Sequence, residues 1–270
     1  MNVNFKNIKD SNTFEIFFVE KDKKNLNKLL FSSDIEINKF AIDSISKRNF
    51  KGNIGDICHL EASHEKKKIN FVVIGIGNKK EFESFHCQYI GGHLSTYLEH
   101  FSFSKISLKF NPITGIGISY EKMILNLVLG LKLKSYRFKK YKKNVAIDKN
   151  TKEISTIDII VTNSNKLKKN FVDYNALSEG IFFSRDLLHE PPNVLNPVNL
   201  ASRAKELSKL GIKVNVLDEK TMKKLGMNAL LGVGMGSSAP SRLVTLEWYG
   251  NPTSKQPLLG LVGKGVTFDT

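Results

Sequence analysis

Cysteine, arginine, proline and long apolar runs are all scarce in this chain of 270 residues, which has 2 cysteines and 7 prolines. Two unpatterned cysteines, Cys58 and Cys87, give no disulfide framework. They suit a reducing compartment and read as free, buried thiols. No apolar run approaches the roughly 18 residues that a membrane-spanning helix needs. The opening MNVNFK has no apolar stretch of the kind a secretory signal carries. The expected location is the cytoplasm, away from membranes.

Arginine contributes 5 of the 41 basic residues, so 36 are lysine. The formal net charge of +15 raises nucleic acid as a partner. A dedicated nucleic-acid surface leans on arginine for bidentate contacts, and here arginine is the minor cation. General lysine enrichment is the plainer reading. The excess is uneven: residues 181–270 hold 11 basic against 7 acidic side chains, so residues 1–180 carry a surplus of 11.

What is present is an alternation of strand and helix patterns, which implies α/β architecture. Residues 14–19 read as a buried strand, and Ile37, Phe40, Ala41 and Ile45 as the inner stripe of a helix. Residues 59–62 read as an edge strand and 69–76 as a central one. The Gly75-Ile76-Gly77 that follows is an incomplete phosphate-loop pattern, with Lys80 where a third glycine belongs, and a tight turn explains it better. Phe82, Phe85, Tyr89, His93 and Tyr97 form a helical stripe expected in the core. His86, His93 and His100 are seven apart, with no acidic or cysteine partner at ligand spacing. Residues 105–110 are a strand, and Tyr120, Met123, Ile124, Leu127, Val128 and Leu131 mark a buried helix face. Residues 136–143 interleave aromatic and basic side chains, which suits either an ordinary surface or a nucleic-acid backbone. Residues 154–161 close this half as a strand.

The polar stretch 162–170 reads as a linker. A helix follows over 174–190, with Leu177, Ile181, Phe182 and Leu188 inward, ended by Pro191-Pro192. Asn196-Pro197 begins another helix, which stops at Gly211. Residues 212–217 are a strand, and Asp218 caps a helix ending at Gly226. The glycine run 232–237 reads as a loop between strands. Residues 242–249 and 258–262 are two further strands. The expected layout is an N-terminal α/β domain with a mixed sheet over 1–165. The opening part of a doubly wound α/β domain then covers 166–270.

The apolar run 258–262 delivers Gly263-Lys264-Gly265-Val266-Thr267-Phe268-Asp269-Thr270. A lysine and an aspartate at the carboxyl end of a strand stand where open α/β sheets bind ligands. The segment VGKGVTFDT resembles the signature of the leucyl (cytosol) aminopeptidases, peptidase family M17. The same resemblance extends through RDLLHEPPNVLNP from Arg185, VLDE from Val216, LGMNALLGVGMGS from Leu225 and PSRL from Pro240.

That resemblance implies a two-metal exopeptidase releasing N-terminal amino acids, often leucine, from peptides. Its two divalent ions are usually Zn²⁺, Mn²⁺ or Mg²⁺, which polarise the substrate carbonyl and activate water. It matches Lys264 to a metal-binding lysine and Asp269 to a bridging aspartate. A lysine ligand must lose its proton, far below its usual pKa near 10.4, and the metal's charge drives that loss. The family's remaining acidic ligands, a catalytic lysine and an arginine would lie beyond Thr270, in roughly another 200 residues. No catalytic residue is therefore expected within the 270. The 270 residues alone are expected to be inactive and not to hold the metals stably. The resemblance also implies peptide substrates and a homo-oligomer, commonly a hexamer. The alternatives are a non-catalytic truncated product or a protein that binds nucleic acid through its basic N-terminal domain.

Overall fold

The computed structural model describes residues 1–8, 13–64, 67–101, 103–142, 153–251, 253 and 256–266. It divides into two compact units, Met1–Phe182 and Phe183–Thr270.

The first unit is built on a six-stranded mixed sheet in the order β1-β6-β5-β2-β4-β3. The strands are β1 Asn2–Lys6, β2 Thr13–Glu20, β3 Ile57–His64, β4 Lys67–Gly77, β5 Lys105–Phe110 and β6 Thr156–Ile160. All neighbours pair in parallel except β3, which runs antiparallel to β4. The central strands are apolar on both faces, as strands covered on two sides must be. On β2, Phe14, Ile16 and Phe18 enter one buried cluster, while Phe17 and Val19 enter the other.

Three helices supply the covers: α1 Ile35–Lys47, α2 Ser84–Leu98 and α3 Tyr120–Lys134. Asp34 begins α1 by accepting from the Glu36 and Ile37 amides. Ile37, Ala41 and Ile45 of α1 pack with Phe17, Phe71 and Val73. The fourth residue of the expected stripe, Phe40, is half exposed. It lies one step round the helix from Ala41, beyond the arc that the sheet covers.

Helices α2 and α3 share the larger cluster and meet backbone to backbone. A Cβ on Gly91 would stand 2.1 Å from the Leu127 carbonyl oxygen, and one on Gly130 would stand 2.0 Å from that of Gln88. Gln88 Nε2 donates to Asn126 Oδ1 at 2.8 Å across the same contact. This contact rotates α2 away from its aromatic stripe. Cys87, Ile90, Gly91, Leu94 and Leu98 are buried. Of the aromatics expected inside, Phe82 is buried just ahead of the helix, and Phe85 and Tyr89 are exposed. Small and aliphatic side chains admit the close helix pair, and bulky rings at its centre would not.

Strand β1 is absent from the pattern reading, because Asn-Val-Asn-Phe-Lys alternates as an edge strand and carries little apolar signal. The expected linker over 162–170 is helical. Helix α4 spans Ser164–Leu188, with Leu167, Phe171 and Ser178 among its buried residues. Leu177 and Leu188, expected inward, are exposed. The apolar side chains of its first turns set the docking face, and this outweighs the polar composition.

The second unit contains α5 Pro197–Glu206, β7 Lys213–Leu217, α6 Glu219–Lys224, α7 Asn228–Gly234 and β8 Leu243–Glu247. Strands β7 and β8 pair antiparallel, Leu217 opposite Leu243. Asn196 caps α5 through its side chain, and Gly211 ends the following turn at a φ of 85°. The first half of the stretch expected as a glycine loop, residues 232–234, is the end of helix α7, and its Gly234 lies against Ser241. A Cβ there would fall 1.9 Å from Ser241 Oγ. Residues 258–262 form no strand. Leu258, Leu259, Leu261 and Val262 are exposed. A strand needs a neighbour for its amides and carbonyls, and β8 pairs only with β7 among the described residues.

Candidate metal centre

Lys264 follows that unpaired stretch in an exposed turn, where the Val266 amide donates to the Lys264 carbonyl at 3.1 Å. Gly265 beside it lies against α5, and a Cβ there would stand 3.0 Å from Leu200 Cδ2. Lys264 has no ion pair among the described residues. Asp269 lies outside the described residues, so the structure does not place the two candidate ligands together. Among the described residues, no three His, Cys, Asp or Glu side chains stand together as a metal site would require. An amine and a carboxylate are ligand types a divalent ion accepts. Two donors fall short of the three or four that protein metal sites usually supply.

The other segments that suggested the family organise the second unit's backbone. After α4 the chain turns on Pro191, whose carbonyl accepts from the Val194 and Leu195 amides at 2.9 Å. Asn199 Nδ2 donates to the Val194 carbonyl at 2.7 Å, and Leu195 is buried. His189 Nδ1 is 2.7 Å from the Arg185 carbonyl. Asp218 caps α6, accepting from the Thr221 amide at 2.8 Å. Hydrogen bonds from the Thr221 side chain and amide hold its carboxyl below the usual range. Glu219 accepts from the Ser241 amide at 2.8 Å and so ties α6 to the 240–243 segment.

The three spaced histidines are engaged separately. His86 Nδ1 accepts from the Glu83 amide at 3.0 Å, completing the cap of α2. His93 tilts against Tyr89 at 4.3 Å, and His100 lies 6.4 Å from Tyr97. The basic-aromatic segment is partly neutralised by ion pairs. Arg137 meets Glu99 at 2.6 Å, Lys139 pairs with Glu153, and the Lys140 ammonium lies 5.5 Å from the Tyr141 ring centre. Its last residue, Lys143, is outside the described residues.

Two charged groups escaped the sequence reading. Asp158 on β6 is fully buried and accepts from Asn4 Nδ2 at 2.8 Å and Lys6 Nζ at 2.5 Å, with Lys105 Nζ at 3.2 Å. Burial pushes its carboxyl up, and these three partners outweigh burial and hold it below the ordinary value. Lys132 on α3 is 9% exposed, and its ammonium donates to Asn175 Oδ1. Burial lowers its pKa, and Glu179 works in the opposite direction. The only signal for either was a charged residue interrupting an apolar run, Ile157-Asp158-Ile159 and Leu131-Lys132-Leu133.

Comparison with known proteins joins the two units under one description. Residues 16–144 match the model of the cytosol aminopeptidase family's N-terminal domain, and residues 182–270 match that of its catalytic domain. A "Probable cytosol aminopeptidase" of Sinorhizobium fredii is 36% identical over 223 residues, 82% of this chain and 44% of the relative. Another of the same description, from Sinorhizobium medicae, is 38% identical over the same shares. The chain thus spans less than half the length of these curated relatives. Among solved structures, a mutant of tomato leucine aminopeptidase superposes with a TM-score of 0.72 at 16% identity, covering 90% of this chain and 50% of that one. The bottromycin maturation enzyme BotP in complex with Mn gives 0.65 at 16% identity, covering 88% and 45%. At such identity these two establish the α/β fold.

Proposed function

The chain belongs to the cytosol aminopeptidase family, and from that premise we propose that it is part of a metal-dependent exopeptidase releasing N-terminal amino acids from peptides. The observation carrying this reading is that the family's N-terminal and catalytic domain models match in order along one chain. Lys264 and Asp269 are the proposed ligands within these residues, one amine and one bridging carboxylate, to a pair of divalent ions, Mn²⁺ or Zn²⁺. The presence of Mn in the complex of BotP supports the first of these metals. When bound, the metals supply Lewis acidity and an activated water. The chain's own contribution within these residues is the Lys264 amine, next to Gly265, which packs against Leu200 of α5. The cytoplasm is the proposed location, supported by the relatives' description and by two buried free thiols. Self-association into a homo-oligomer, with the family's hexamer as the form, belongs to the same proposal.

The 270 residues alone are proposed to be inactive, because two donors do not complete a metal site. The test is hydrolysis of a leucyl anilide by the purified 270-residue chain with added Mn²⁺ or Zn²⁺. A rate equal to that of the metal blank is expected, and turnover abolished by chelator would overturn the inactivity. A second reading rests on the surplus of 11 cations in residues 1–180. It assigns nucleic-acid binding to the first unit. Its mark is a duplex affinity that falls steeply with salt, and weak binding that is flat with salt would remove it.

A further inference from the structure

The two edges of the six-stranded sheet are finished differently. At the β3 edge, Arg48 Nη1 donates to the His59 carbonyl at 2.7 Å and stands 3.3 Å from Cys58 Sγ. A side chain there occupies an edge acceptor. At the opposite edge, β1 bonds only to β6 among the described residues. The Asn2 amide donates to the Ser155 carbonyl at 2.7 Å, and the Val161 amide donates to the Lys6 carbonyl at 2.8 Å. Amide and carbonyl of one residue point the same way along a strand, and successive residues alternate. The Val3 and Phe5 backbone groups therefore face away from β6; Phe5 is 2% exposed and covered, so the partly exposed Val3 offers the edge's reachable amide and carbonyl.

Met1 and the first strand residues, Asn2–Asn4, line a cavity of about 520 Å³ together with Thr156 of β6. Its wall is α4, through Phe171, Val172, Asn175 and Glu179, with Lys168 at the rim. Phe5 packs edge-on to Phe171 at 5.4 Å and fixes α4 beside the strand. Lys132 lines the same cavity, nine-tenths buried, and Asn175 Oδ1 is the single acceptor for its three protons among the described residues. Glu179 is turned to Asn175, which donates to it at 2.6 Å.

We propose that this groove docks an extended peptide segment of another protein, pairing with the outer edge of β1 and placing an Asp or Glu side chain against the Lys132 ammonium. Strand addition supplies the backbone hydrogen bonds, and side-chain pockets supply the selection. The complementarity lies in a buried cation with unused donors in the same cavity as the partly exposed Val3 edge. An acidic side chain reaching it gains a charge-assisted hydrogen bond in a site that is already desolvated.

The probe is a fluorescein-labelled Thr-Val-Glu-Val-Thr peptide, acetylated and amidated so that no free terminus engages an exopeptidase site. Binding to the full 270-residue chain is read by anisotropy. Saturation below about 1 mM is expected, with at least roughly tenfold weaker binding of the Glu→Gln peptide. Lys132→Met should cost a similar factor, and Lys132→Arg should restore part of it. Val3→Pro removes an outward amide that β6 does not use, which edge strands tolerate. It should weaken binding without the folding risk of a core substitution. Absence of saturation, equal binding of the Gln peptide, or indifference to both Lys132→Met and Val3→Pro would overturn the proposal. Dimerisation in sedimentation that Val3→Pro abolishes, without peptide binding, would overturn it in favour of a second copy of this chain.

Discussion

Asp158 and Cys87 are single side chains whose burial makes measurable statements. The Asp158 carboxylate lies within the sheet, while its partners Lys6 and Lys105 keep their side chains 44% and 53% exposed. Those lysines can return to water when the carboxylate is removed. Asp158→Asn should therefore cost about 2 kcal/mol at neutral pH, the scale of hydrogen bonds to a charged group, rather than more. Because the folded pKa is depressed, the contribution is fully present above the unfolded value near 3.9 and is lost as pH falls through the lower folded one. Denaturant titrations of both proteins should show a constant gap above about pH 5 and a closing gap below about pH 4. Cys87 is fully buried on α2, and burial pushes its thiol up to about 12. The thiolate is the reactive form. Iodoacetamide near pH 8 should leave Cys87 unmodified in the folded protein and alkylate it in denaturant, as read by mass spectrometry of its peptide.

At the scale of elements, the α2–α3 pair is a backbone-to-backbone joint in the first unit. A methyl group on Gly91 or Gly130 would meet a backbone carbonyl at about 2 Å, and backbone cannot rotate aside as a side chain can. Gly91→Ala and Gly130→Ala should each destabilise by about 3 kcal/mol, the upper range for overpacking. Gly92→Ala, where no atom lies within 4 Å, should be neutral or stabilising by helix propensity. Thermal melts of the three variants separate these outcomes. The same joint explains what the sequence could and could not reveal. Helix α3 was legible because its inward residues repeat at helical spacing over the whole element. Helix α2 was legible as a helix, but its buried face was not, because the close approach favours Gly91 and aliphatic residues over the more conspicuous rings. Strand β1 and the start of α4 were hidden by polar composition, their positions being set by pairing and docking partners far along the chain. Of the candidate site, Lys264 and Asp269 drew notice by their place after an apolar run, which forms no strand here, and their role came only from a multi-residue motif. Lys132 and Asp158 were illegible, since burial of a charge is a property of the assembled fold.

Across the whole molecule the two units differ in core content. The first contains both large apolar clusters. Among the described residues of Phe183–Thr270, the buried hydrophobics are Leu195, Ala201 and Met222. The single tryptophan, Trp248, lies in this second unit and is 63% exposed. Its emission in urea should therefore shift little, and at lower denaturant than the far-ultraviolet dichroism that the first unit dominates. Coincident transitions would show one cooperative whole instead. The family assignment is also a statement about the whole molecule, and Lys264 is where it meets chemistry. The most direct measurement is leucyl anilide hydrolysis by the protein isolated from the cells that make it, whatever its length there, comparing wild type with Lys264→Ala in the presence of Mn²⁺. Chelator-sensitive release of leucine by the wild type is expected, with a loss of at least about a hundredfold in the variant, since residues that merely support metal ligands already cost about 10–100-fold when removed. Wild-type turnover that survives Lys264→Ala unchanged would contradict that expectation.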